Sequence, residues 1–178
     1  MKIIDVPRHG AAALGDGLAV ATHTVARWTR SSTAAGPPAT GGARAHVEVL
    51  RRLGGHLTRA FLGGRFTADD GTETRFEVGV SGFDTLDHGD APTFRGALVS
   101  RPLIIGLPAD LAPGALAGLA GGPPLPPGTL TVDQAAFDLM YSSAPAFAQA
   151  GAALRAALGA AVAGADPESA VCAVVAGW

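Results

Sequence analysis

The sequence predicts an α+β fold: a curled, mostly antiparallel β-sheet with one main C-terminal, alanine-rich helix packed on it. Three observations favour this class. Residues 45–82 alternate apolar and polar side chains, as half-buried strands do. Residues 143–164 carry apolar side chains at helical spacing and almost no charge. The chain also lacks the regular alternation of strands and helices that a parallel α/β fold requires.

The N-terminal region is the least decided part. Residues 1–30 are predicted to form a strand or arm that opens with the strand "KIIDV". Residues 11–30 fit a helix or a strand, and their β-branched content favours a strand. The helical alternative rests on the apolar spacing of Leu18, Ala21, Val25 and Trp28. Residues 31–43 are rich in Ser, Gly and Pro, and are predicted to be a flexible loop.

Residues 44–178 are predicted to form the main α+β body, within what we expect to be a single domain overall. "AHVEVL" reads as a strand, and residues 63–82 read as a hairpin that turns at Asp70-Gly71. Phe66, Ala68, Thr74, Phe76, Val78 and Val80 would point inward from this hairpin. The paired glycines at 54–55 and 63–64 suggest bulges or bends in the strands.

The second half of the body contains the predicted helix. Residues 94–108 read as one strand kinked at Pro102, and a Pro-rich connection follows that includes residues 121–128. Ser142 or Ser143 can cap a helix over residues 143–164. Pro145 would then lie in the first turn, where proline is tolerated. The valine-rich end, "SAVCAVVAGW", is predicted to be a last buried strand.

Composition limits the protein class. Hydrophobic residues make up 48% of the 178 residues and charged residues 16%, which is enough for a core and argues against disorder. Cys172 is the only cysteine, so no internal disulfide can form, and we expect it to be a small core residue. We find no secretory signal or membrane span and expect a cytoplasmic protein. The abundance of Ala, Gly, Pro and Arg is typical of a GC-rich bacterial genome.

Charge is unevenly distributed, although the net charge is only −2. Residues 1–68 hold nine basic and three acidic residues, whereas residues 69–178 hold four basic and twelve acidic ones. Two explanations are open: pairing within one chain, which we favour, or head-to-tail self-association of oppositely charged faces.

"GFDTLDHGDAP", residues 82–92, is the most chemically suggestive segment. Its candidate catalytic residues are Asp84, Asp87, His88 and Asp90. The carboxylates could bind a hard cation, or an Asp could orient His88 for acid–base chemistry. The acid spacing fits no calcium loop, and Asp, Gly and Pro favour turns for backbone reasons alone. We therefore favour a solvated turn between strands.

A zinc site would need further ligands. His46, His56 and His88 are the candidates, and His46 could meet His56 across neighbouring strands. No ligand-spacing rule supports this set, so the sequence predicts neither a metal nor another cofactor.

Several arginines mark a candidate binding surface within residues 44–66. Arg51, Arg52, Arg59 and Arg65 could contact a partner protein. Together with Phe61 and Phe66 they could instead form a weak nucleic-acid-binding face. The acidic second half argues against nucleic acid as a partner.

Arg8-His9-Gly10 is similar to the signature of the histidine phosphatases, in which the His accepts the phosphoryl group. That resemblance implies a downstream Arg, an acidic residue and a second His-Gly near the end of the sheet. The second His-Gly of this chain, His88-Gly89, lies in mid-chain, and the fold pattern differs, so we do not assign the family.

Taken together, the sequence favours a non-catalytic, structural protein that acts by self-assembly, as a homo-oligomer, or by binding a protein partner. The first alternative is a small metal-dependent or acid–base enzyme centred on Asp84–Asp90. The second alternative is the nucleic-acid-binding face described above.

Overall fold

One mixed sheet and three helices are formed by residues 1–17, 20 and 22–178, the part of the chain that the computed structural model describes. The strands are β1 (Lys2–Val6), β2 (Gly10–Gly15), β3 (Ala26–Thr33), β4 (Ala43–Leu53), β5 (His56–Ala68), β6 (Glu73–Val80), β7 (Thr93–Arg95), β8 (Pro102–Ile105) and β9 (Gly128–Phe137). The helices are α1 (Ala112–Ala120), α2 (Ala144–Val162) and α3 (Pro167–Ala176). The predicted α+β class, with its mostly antiparallel sheet and C-terminal helix, is confirmed.

The order of strands across the sheet is β1-β2-β4-β5-β9-β6-β3. Neighbouring strands are antiparallel except β6 and β9, which are parallel. The predicted hairpin over residues 63–82 is wrong, because β9 lies between β5 and β6 and forms hydrogen bonds with both. The turn at Asp70-Gly71 is present, but the two strands that it connects, β5 and β6, are not adjacent in the sheet.

The two predicted glycine features have different outcomes. At Gly63 and Gly64 the register of β5 against β9 shifts, so the bulge is confirmed. Gly54 and Gly55 form the two-residue turn between β4 and β5 instead, because both have positive φ, as hairpin turns of this length require.

All three helices pack on one face of the sheet, which we call the helix face. Its core contains Val47, Leu62, Phe76, Leu130 and Phe137 from the strands, and Phe147, Leu154 and Leu158 from α2. The rows predicted to point inward from residues 66–80 lie on this face. Ser143 caps α2 as expected, since its hydroxyl accepts a hydrogen bond from the Ala146 N–H (3.3 Å).

Close packing of α1 against α2 explains the alanine-rich sequence of α2. A Cβ at Gly114 or Gly118 would collide with the main chain of α2, and one at Gly151 would lie 2.7 Å from the Ala115 carbonyl oxygen. Side chains larger than alanine would hold these backbones apart. α1 was not predicted, because its segment reads as part of a Pro-rich connection.

The predicted C-terminal strand is wrong, since the segment forms α3. The Asp166 carboxylate accepts hydrogen bonds from the N–H groups of Glu168 and Ser169, and Pro167 opens the helix. This start signal outweighs the β propensity of the valines. Val171 and Val175 are buried, four residues apart on one helical face, and Cys172 is exposed rather than in the core.

A smaller core lies on the opposite face, which we call the open face. Val20, Phe61, Leu103 and Ala136 form it. The segment predicted as one strand over residues 94–108 is two antiparallel strands, β7 and β8, because residues 96–101 leave the sheet to cover the open face. Of the proposed helical stripe at 18–28, Leu18 and Ala21 lie outside the described residues, whereas Trp28 lies in β3.

Basic side chains of the first half of the chain pair with acidic ones of the second half. The pairs that cross the halves are Lys2–Glu168, Arg27–Glu77, Arg44–Asp133, Arg59–Asp138 and Arg65–Asp133. Charge pairing within one chain therefore accounts for part of the uneven charge distribution. In the described part of the chain, no helix has the length and hydropathy needed to cross a membrane.

Candidate functional site

The segment at residues 82–92 leaves the end of β6 as a series of turns. The Asp87 N–H donates to the Asp84 carbonyl (3.1 Å), and the Ala91 N–H donates to the His88 carbonyl (3.2 Å). Asp84, Asp87 and Asp90 are exposed, while His88 is partly buried. The side chains that suggested chemistry are therefore carried by backbone turns.

His88 faces a cleft of about 380 Å³ that His23, Ser81 and Phe83 also line. Its ring and that of Phe137 are arranged edge to face, with 6.0 Å between ring centres. Its Nδ1 lies 3.0 Å from the Gly89 carbonyl oxygen, not beside a carboxylate. Within the described residues, none of the three aspartates forms a hydrogen bond with His88, so no Asp–His pair is in place for acid–base chemistry.

Ser81 contributes a hydroxyl to the same cleft, but its hydrogen bonds have a structural role. It is buried, it donates to the His23 carbonyl (3.2 Å), and it accepts from the Leu107 N–H (3.2 Å). A nucleophilic serine needs its proton directed at a base, and here the proton is directed at a main-chain carbonyl.

The histidines considered as metal ligands do not meet. His46 lies opposite Gly63, whereas His56 lies opposite Leu53, seven residues further along β4. At the rise of a strand this separates them by about 23 Å. His88 lies on another loop. The described part of the chain contains no group of three or more His, Cys, Asp or Glu residues able to hold a metal ion.

The arginines considered as a partner surface are dispersed. Arg59 is fully buried, so its guanidinium is not available to a partner. Arg51 and Arg52 are neighbours on β4 and therefore point to opposite faces of the sheet. Arg65 is exposed and pairs with Asp133, which also binds Arg44.

Arg59 instead forms a buried network of hydrogen bonds beneath residues 96–101, which cover the open face. Its Nε donates to Glu48 (2.8 Å), and its other nitrogens donate to the carbonyl oxygens of Arg101 (2.7 Å) and Val99 (3.2 Å). Glu48 accepts in turn from the Ala97 N–H (2.6 Å). The network fixes residues 96–101 across β4 and β5, which is a structural task.

The most exposed regular element is β3, the terminal strand of the sheet. It has eight residues, and all but Ser32 are exposed. Only β6 pairs with it in the described part of the chain. The Ala34 N–H donates to the Thr72 carbonyl (3.1 Å), so even-numbered residues of β3 direct their backbone polar groups to β6. Odd-numbered residues direct theirs outward.

A groove lies where β3 begins, next to the 82–92 segment. Val25, Trp28, Phe83, Asp84 and Asp87 line it, and its volume is about 350 Å³. Val25 is 58% exposed and Trp28 37% exposed, which is high for large apolar side chains beside an open strand edge. Apolar and acidic groups are thus combined at this edge of the sheet.

The sequence does not single out this edge, because residues 11–30 fit both a helix and a strand. A signal was present in the β-branched residues of 20–25, which lead directly into "ARWTRSST" with Thr29 and Thr33. Comparisons of the chain with protein-family models, with curated proteins and with solved structures gave no significant match.

Proposed function

We propose that this protein is non-catalytic and acts by self-assembly, with two copies pairing through β3 into one continuous sheet. The observation that carries the proposal is the open edge of β3, eight residues long and exposed, with outward-directed backbone groups. Such an edge is a ready template for another strand. A two-fold antiparallel pairing uses the same edge on both copies and closes as a dimer.

The register that fits best is centred on Thr29. Thr29 directs its N–H and C=O outward, so it can form a hydrogen-bonded pair with Thr29 of a second copy. Trp28 of one copy then lies opposite Arg30 of the other, in the close, non-hydrogen-bonded position. An arginine over the face of a tryptophan is a favourable cation–π contact.

Charge at the edge supports a second copy as the partner. Arg30 is exposed, and no carboxylate pairs with it in the described part of the chain. The groove beside Trp28 carries Asp84 and Asp87. Two-fold pairing brings the cation of each copy to the acidic groove of the other, which favours this register over a shifted one.

The alternatives have less support. An enzyme centred on Asp84–Asp90 would need a carboxylate that orients His88, and the aspartates are turned to solvent. A nucleic-acid-binding face would need its arginines together and unpaired, whereas Arg59 is buried and Arg44 and Arg65 share Asp133.

The test is the mass of the protein in solution, measured by light scattering during size exclusion over a range of concentrations. We expect a dimer that dissociates on dilution. Thr29→Pro removes one outward N–H and should give a monomer, whereas the control Thr29→Val keeps the N–H and should still dimerise. A wild-type protein that is monomeric at every concentration would refute the proposal.

A charge exchange tests the register. Arg30→Asp should weaken the dimer, and so should Asp84→Arg with Asp87→Arg. Combining the three substitutions in one chain should restore dimerisation, because the opposite charges again face each other. A combined variant that dimerises no better than the separate ones would contradict the register centred on Thr29.

A further inference from the structure

A cleft at the opposite end of the sheet takes no part in the proposed assembly. It lies beside the turn that joins β1 to β2 and has a volume of about 470 Å³. Pockets that hold small molecules measure about 300–1,000 Å³. Asp5, Arg8, His9, Ala11, Leu50 and Arg52 are among the residues that line it.

The cleft has apolar groups on its floor and charged groups at its rim. Asp5, Ala11 and Leu50 are paired across β1, β2 and β4, so their side chains lie side by side on the open face. Leu50 and Ala11 supply an apolar floor. Asp5, Arg8 and Arg52 are exposed and supply charge at the rim.

The charges at the rim do not neutralise one another. None of the ion pairs formed within the described residues includes Asp5, Arg8 or Arg52. Most other arginines of the first half do pair with a carboxylate, among them Arg27, Arg44, Arg59 and Arg65. The cleft therefore keeps two guanidiniums and one carboxylate available for a ligand.

The backbone at Arg8 is strained. The His9 N–H donates to the Val6 carbonyl (3.0 Å), and Arg8 at the third position of this turn has φ +73°. Gly or Asn normally occupies that position. Among the described residues, Arg8 is the only non-glycine residue with positive φ. An arginine at a place where glycine would cost less points to a use for its side chain.

His9 is held in place beside the cleft. Its Nδ1 lies 3.1 Å from the main-chain oxygen of Trp178, whose ring packs over Gly10. The end of α3 therefore supports the β1–β2 turn, and the cleft has a braced wall rather than a loose one.

We propose that this cleft binds a free α-amino acid with an apolar side chain. Arg8 and Arg52 match the α-carboxylate, since a guanidinium binds a carboxylate through two parallel hydrogen bonds. Asp5 matches the α-ammonium group, and Leu50 with Ala11 matches the side chain. A phosphate or another multiply charged anion fits less well, because it would lie close to the Asp5 carboxylate.

The test is titration of the whole protein by calorimetry with four probes: L-leucine, L-leucinamide, N-acetyl-L-leucine and inorganic phosphate. We expect L-leucine to bind. The amide, which lacks the carboxylate, and the N-acetyl compound, which lacks the ammonium, should bind at least about tenfold more weakly. No detectable binding of L-leucine, or inorganic phosphate binding as tightly as L-leucine, would overturn the proposal.

Substitutions assign the binding to this cleft. Arg52→Gln and Asp5→Asn should each weaken L-leucine binding at least about tenfold. Arg8→Gly should weaken it equally while leaving thermal stability unchanged or higher, because glycine relieves the strained turn. Arg75→Gln, an exposed arginine on β6, is the matched control and should bind as the wild type does. Unchanged binding in the three cleft variants would place the ligand elsewhere and overturn the assignment.

Discussion

Arg59 and Arg155 are both excluded from solvent, but their surroundings are opposite. Arg59 has Glu48 and Asp138 as ion partners and two main-chain carbonyls as acceptors. Arg155, on α2, has no carboxylate partner in the described part of the chain, and its Nε is buried without an acceptor. Burial lowers the pKa of its guanidinium, because a desolvated charge is disfavoured.

Replacing each arginine by methionine should therefore change stability in opposite directions. Arg59→Met leaves the buried Glu48 without a cation, whereas Asp138 keeps Arg101 at 3.6 Å, and it should lower the free energy of unfolding by about 3–5 kcal/mol. Arg155→Met removes an unsatisfied buried group and should raise it by about 1–3 kcal/mol. Urea denaturation measures both. Changes of the same sign would show that Arg155 has a compensating partner.

The misassignment of Arg59 has a physical cause. Strand alternation in the sequence identifies a buried face only when the other face meets water. β5 is covered on both faces, by the helices on one side and by residues 96–101 on the other. An arginine in such a strand can be buried as part of an ion network, and neither its residue type nor its spacing reveals this.

At the scale of elements, α3 depends on two electrostatic contacts. Hydrogen bonds from Ser169 and from the backbone lower the pKa of Asp166, the N-cap residue. The Glu168 carboxylate, which pairs with Lys2, raises the pKa of that lysine. A carboxylate whose pKa is lowered on folding stabilises the fold at pH values above its pKa in the unfolded chain. A lysine whose pKa is raised on folding stabilises the fold at pH values below its pKa in the unfolded chain.

α3 should accordingly be most firmly docked at intermediate pH. As the pH falls below about 4 through the lowered pKa of Asp166, the cap is lost. As the pH rises above about 10 through the raised pKa of Lys2, the tie to β1 is lost. Hydrogen exchange of the α3 amides, compared with those of α2, measures this. In Asp166→Ala the acid step should be smaller, and the α3 amides should exchange faster at neutral pH. In Asp166→Asn, which still caps the helix, exchange at neutral pH should stay near that of the wild type. An acid step in Asp166→Ala as large as that of the wild type would contradict the assignment.

The elements that the sequence predicted share a strong local signal. α2 has helical periodicity and the Ser143 cap, and β4 has apolar alternation. α3 also had a local signal, Asp166-Pro167-Glu168, but the valines after it were given more weight. The clefts could not be predicted at all, since Asp5, Leu50 and Arg52 meet only after β2 pairs with both β1 and β4.

At the scale of the whole molecule, β9 is the strand that joins the two parts of the sheet. It is a central strand, pairing antiparallel with β5 and parallel with β6. β5 and β6 follow each other closely in sequence, yet each has β9 as its neighbour, about sixty residues away. A local turn signal such as Asp70-Gly71 cannot reveal that a distant strand enters between the strands it joins. Pairings of this length also slow folding, because the loop must close before the contacts form.

Proline substitution distinguishes this topology from one built on a β5–β6 hairpin. Val132 in β9 is paired with Gly64 of β5 on one side and with Val78 of β6 on the other. Whichever neighbour its N–H faces, proline at this position would remove a hydrogen-bond donor from within the sheet. We expect Val132→Pro to abolish cooperative thermal unfolding, measured by circular dichroism. Thr29→Pro, at the open edge of β3, should still unfold cooperatively because it removes no hydrogen bond within the chain. If Val132→Pro unfolded as cooperatively as Thr29→Pro, β9 would not be the strand that joins the two halves of the sheet.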